Sequence, residues 1–128
     1  MRRLYFLLAA GTIVLGVVHI AATPRAFPRL SSAAVWFASG GLAMMLTGAL
    51  NLLRRVYGDF APGLRRVCLA ANVVMTAFAV LAGYAGHASV AEFVVVLSLV
   101  GGATVLSVMP AAQQPVSVTS LGGHGAAV

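Results

Sequence analysis

At 128 residues, 61% of them hydrophobic and only 8% charged, the chain has too little polar surface to coat a water-soluble globule. Ordinary soluble domains are about 45–50% apolar and about 25% charged. The net charge of +6 comes from arginine alone; these residues flank apolar runs, which suits topology signals and anionic headgroups and argues against nucleic acid as a partner.

Four apolar runs, residues 4–23, 33–53, 67–86 and 90–109, dominate the sequence. A hydrocarbon core of about 30 Å needs about 20 helical residues. The runs lack the alternating ten-residue pattern of barrel strands, so helices are predicted. The fold class expected is all-α: an integral membrane four-helix bundle, up-down-up-down, formed by residues 1–109. Residues 110–128 have a composition that cannot bury a core and are predicted to be a disordered tail. His124 in that tail receives no role.

The first run follows Arg2 and Arg3 and ends at Ala21-Ala22-Thr23, a pattern that also resembles a secretory signal peptide. A retained span is expected, because the apolar run continues through Ile20 and Ala22; cleavage would leave three spans. Pro24 and Pro28 are predicted to break the first connection, with Ser31 or Ser32 capping the second helix. Trp36 follows as an interfacial anchor. Gly58, Pro62 and Gly63 mark the second connection as a turn, with Tyr57 and Phe60 at the interface. The third connection, residues 86–89, is so short that the third and fourth helices form an antiparallel hairpin. Small residues at helical spacing, such as Gly41 and Gly48 or Ala79 and Gly83, predict close helix packing without specifying an oligomer.

Arginine placement predicts orientation. Arg2, Arg3, Arg54, Arg55, Arg65 and Arg66 fall on one side, and Arg25 and Arg29 on the other. The majority marks the cytoplasmic side, so both termini are expected inside a bacterial inner membrane.

Ionisable groups within spans are costly and suggest function. His19, Tyr84, His87 and Glu92 are predicted at the outer ends of helices and Arg25 and Arg29 in the outer connection, and the six form the candidate ligand site. Glu92 is expected either to pair with Arg25, Arg29 or protonated His19, or to cap its own helix. His19 alone is a candidate for a hydrogen bond across helices. A bis-histidine haem site at His19 and His87 has doubtful geometry, and no spacing motif supports a zinc site, so no metal or cofactor is expected. The lone Cys68 excludes an intrachain disulfide and reads as a packing residue. On the inner half, Asn51 and Asn72 are expected to hydrogen-bond to each other as a staple. Thr47 and Thr76 are expected to bond their own preceding turns. No nucleophile–base pair or phosphate loop is present.

The stretches Gly16-Val17-Val18-His19, Trp36-Phe37-Ala38-Ser39-Gly40-Gly41-Leu42 and Gly48-Ala49-Leu50-Asn51-Leu52 resemble a pattern found in small bacterial four-helix membrane proteins. Those proteins are similar in size and topology to DoxX-like proteins. The resemblance covers the first two helices. It implies a bacterial inner membrane and a four-helix bundle, and it transfers no activity.

The function expected is a non-enzymatic binding or interaction subunit whose partners are the lipid bilayer and a membrane protein or a second copy. The alternative is a transporter or membrane enzyme that uses His19, Arg25, Arg29, His87 and Glu92.

Overall fold

The computed structural model describes residues 2–109; the predicted tail, 110–128, lies outside them. Among the described residues the regular structure is helical throughout: α1 (Arg2–Ala26), α2 (Ser32–Tyr57), α3 (Pro62–Ala85) and α4 (Val90–Val108). All four are long and apolar enough to cross a membrane.

Helix boundaries follow local chemistry, with one correction to the sequence reading. Pro24 does not break α1; it sits inside the last turn. A proline costs one bond to the preceding turn, and this near the end few bonds remain to lose. Phe27 N–H still reaches the Thr23 carbonyl at 2.8 Å, so Pro28, not Pro24, marks the exit. Ser31 then caps α2, its Oγ accepting from Ala34 N–H at 3.2 Å. Pro62 opens α3 at a position where its missing N–H costs nothing.

The helices pack in a ring, α1 against α2 and α4, and α3 against the same two neighbours. Buried positions recur at intervals of three and four: Tyr5, Ala9 and Thr12; Met44, Thr47, Asn51 and Arg54; Cys68, Asn72 and Met75; Val100, Ala103 and Ser107. That spacing keeps one stripe of each helix facing inward. The tightest seam joins α1 to α2. A Cβ on Gly16 would lie 2.5 Å from the Gly41 carbonyl oxygen, and one on Gly48 would lie 2.7 Å from that of Ala9. Backbones approach this closely only through glycine.

Midway along the ring, Met44, Met75 and Val100 form an apolar layer backed by Leu15, Ala43 and Val96. Facing outward are Leu7, Val14, Leu46, Val74, Leu81 and Val105, all exposed. Each would cost about 25 cal/mol per Å² of apolar area left in water, whereas in hydrocarbon that cost vanishes.

Candidate functional site

The polar side chains that the four helices bury gather at one end, where α1 and α3 begin and α2 and α4 finish. At its centre are two amides. Asn51 Nδ2 donates to Asn72 Oδ1 at 2.7 Å, and Asn72 Nδ2 donates to Asn51 Oδ1 at 2.8 Å. The second proton on each nitrogen is also used. Asn51 Nδ2 donates to the Thr47 carbonyl at 2.9 Å, and Asn72 Nδ2 to Ser107 Oγ at 3.0 Å. The staple expected between these two residues is therefore present, and it extends to a third helix.

Two further donors converge on Asn51 Oδ1, the Tyr5 hydroxyl from α1 and the Cys68 thiol from α3, the latter at 2.9 Å. The Tyr5 hydroxyl also lies 3.4 Å from Ser107 Oγ. All four helices thus contribute to one network. A hydroxyl pair, Thr76 and Thr104 at 2.9 Å, links α3 to α4 beyond it. Buried polar groups cost free energy unless satisfied, more so where no water reaches, and this network satisfies them mutually.

Arg54 completes the cluster. Its Nη2 donates to the Ser107 carbonyl at 2.7 Å, in the last turn of α4. That carbonyl has no intrahelical partner, and a cation there complements the helix dipole. The guanidinium carbon also lies 5.8 Å from the centre of the Tyr5 ring. Arg54 keeps only 9% of its surface exposed. Its Nη1 is the buried side-chain atom without a hydrogen-bond partner among the described residues. Arg55, next in sequence, is exposed and rests over Phe6 at 5.0 Å.

The residues expected to form an outer site lie near helix ends and in the connections, without side-chain contacts to one another. His19 stacks on Phe37 with ring centres 3.8 Å apart, and Phe27 leans on the same Phe37 ring. Glu92 is engaged within its own turn: Oε2 accepts from Ser89 N–H and from Ser89 Oγ, each at 2.8 Å, while Ser89 Oγ accepts from Glu92 N–H at 3.3 Å. This reciprocal capping box is the second of the two expected roles for Glu92. Arg25 lies in the last turn of α1, Arg29 in the connection, and both are exposed. Tyr84 is 83% exposed. His87 has a left-handed backbone, φ 51°. It sits where a helix-ending turn normally places glycine: its N–H reaches the Tyr84 carbonyl at 3.3 Å, and Ala88 N–H reaches that of Gly83 at 2.9 Å. No side-chain hydrogen bond, ion pair or ring contact joins these six candidates to one another. Among the described residues no three His, Cys, Asp or Glu side chains are grouped to hold a metal ion.

An open groove of about 670 Å³ runs along the other half of α4, lined by Ala88, Val90, Phe93, Val94, Leu97 and Ser98. Its lining is almost wholly apolar, so it offers little for orienting a polar substrate.

Tyr5 and Ser107 are participants that sequence reasoning did not single out, and Arg54 and Cys68, read there as a topology signal and a packing residue, also hydrogen-bond in the cluster. A signal existed for Arg54 and Cys68. Arg54 follows Asn51 by three residues and Cys68 precedes Asn72 by four, which places each on the face of its amide. Tyr5 and Ser107 lie in apolar runs with nothing local to mark them.

No protein-family model, curated protein or solved structure matches the chain.

Proposed function

We propose that this chain is a four-span bacterial inner-membrane protein with both termini cytoplasmic. Its bundle runs up-down-up-down and acts as a non-enzymatic binding or interaction subunit. The carrying observation is that, Arg54 Nη1 apart, the buried polar network consumes its own donors and acceptors. Asn51, Asn72, Tyr5, Cys68 and Ser107 bond to each other, so none is left poised as a nucleophile with a free base beside it. The descending registers support the topology: Gly16 meets Gly41 while Ala9 meets Gly48, and Asn72 meets Ser107 while Thr76 meets Thr104. The apolar layer of Met44, Met75 and Val100 closes the ring above the network and argues against a solute path along its axis.

Two measurements test this. A reporter fused to the C-terminus reads cytoplasmic; a periplasmic reading overturns the four-span orientation. Crosslinking in intact membranes yields a species heavier than the monomer, either a second copy or a distinct partner. Monomer alone overturns the interaction reading.

A further inference from the structure

We propose that Arg54 anchors a phosphate-group site at the arginine-bearing end of the bundle, for an anionic phospholipid headgroup or free phosphate. This rests on the membrane reading above and names the ligand chemistry for it.

The observation is a buried cation with no counter-charge among the described residues. Arg54 is nine-tenths buried, and what it touches among the described residues is neutral: the Ser107 carbonyl, the Tyr5 ring and the Cys68 thiol. The chain has two acids. Glu92 is committed to Ser89 at the far end of α4, and Asp59 lies exposed in the turn between α2 and α3. Removing an ion from water is costly unless an opposite charge or good hydrogen bonds compensate. The partial charge at the α4 C-terminus answers some of this, yet Nη1 is left with no partner among the described residues.

Three features select phosphate. A guanidinium presents a planar fork that matches two oxygens of one phosphate group. The same end carries Arg3, Arg55 and Arg66, all exposed, so an anion held by Arg54 lies in a strongly positive field. In a four-span embedding this end meets the headgroup layer, where phosphate is the abundant anion. Nη1 is itself enclosed, so the ligand enters with a turn of the guanidinium and not into a preformed pocket.

The test uses the full chain purified in an uncharged maltoside micelle, with phosphatidylglycerol, phosphatidylcholine and inorganic phosphate as probes. Binding is read by native mass spectrometry and by the shift in unfolding temperature. Wild type binds phosphatidylglycerol about tenfold more tightly than phosphatidylcholine, and Arg54→Gln loses about that factor, the worth of one charge-assisted hydrogen bond. Arg54→Lys keeps the charge and loses the fork; it weakens binding severalfold and carries the test if the glutamine variant fails to fold. Competition by inorganic phosphate identifies a site for the free anion; phosphatidylglycerol binding that phosphate leaves untouched identifies a headgroup site. Equal binding of the two lipids with no response to phosphate overturns the proposal. So does wild-type affinity in either variant. A chain that spans the membrane by the reporter assay but ignores all anionic probes overturns this site and leaves the membrane reading standing.

Discussion

The amides of Asn51 and Asn72 face each other and exchange two hydrogen bonds, at 2.7 and 2.8 Å, across the α2–α3 boundary. Truncating one member leaves the other short of the two bonds they exchange in a buried site, a loss of about 1–3 kcal/mol, at the lower end because each keeps its other partners and the unfolded reference is itself in a membrane. Asn72→Ala therefore destabilises by about 1–2 kcal/mol in denaturant titrations in micelles. The double variant Asn51→Leu/Asn72→Leu loses less than the sum of its singles, because no orphaned amide remains. Additive losses would show that the pair does not act as a unit.

The glycine seam between α1 and α2 makes a contrasting pair. A methyl at Gly48 would meet the Ala9 carbonyl oxygen at 2.7 Å and Ile13 Cγ1 at 2.6 Å, whereas one at Gly63 meets nothing within 4 Å. Gly48→Ala forces the helices apart and costs about 1–3 kcal/mol. Gly63→Ala in the first turn of α3 is neutral or stabilising by up to about 1 kcal/mol. Thermal unfolding of the two variants side by side checks this; equal effects would place the seam elsewhere.

His87 occupies a left-handed position, φ 51°. Side chains with a Cβ pay a steric penalty there that glycine escapes. His87→Gly is expected to stabilise the chain by about 0.5–1 kcal/mol, while His87→Val destabilises it. A glycine variant that melts lower than wild type would mean that the imidazole makes a contribution larger than its strain.

At the start of α4 the capping box assigns different weights to two conservative changes. Ser89→Ala removes the acceptor for Glu92 N–H and a donor to its carboxylate, a loss of about 1 kcal/mol. Glu92→Gln keeps an oxygen that can accept from Ser89 N–H and changes stability less than Ser89→Ala does. The reverse order in paired melting curves would point to an ionic role for Glu92 beyond the cap.

Helix number and class were legible because runs of this length and apolarity specify helices by themselves. The Asn51–Asn72 bond was legible for the same reason, since two amides in apolar runs must find each other or their own backbone. The identity of the buried arginine was harder. Arg54 and Arg55 are chemically alike and adjacent, and only helical phase relative to Asn51 sends one inward and the other over Phe6. The six outer residues looked like a cluster because span ends place them at similar depth. Similar depth does not fix azimuth around the ring, and each of Glu92, His87 and His19 instead found a partner nearby: its own turn for the first two, the Phe37 ring for the third.

The hydroxyl and amide bonds within single helices bear on how such a chain is made. Thr12 donates to Leu8, Asn51 to Thr47, Thr76 to Asn72 and Thr104 to Val100, each to a carbonyl four residues earlier. Each helix therefore has part of its polar content already quenched within itself, before any neighbour arrives. What waits for the second hairpin is the Asn51 oxygen, which only α1 serves until Cys68 and Asn72 are delivered. It is α3 that completes the set of donors to Asn51 Oδ1.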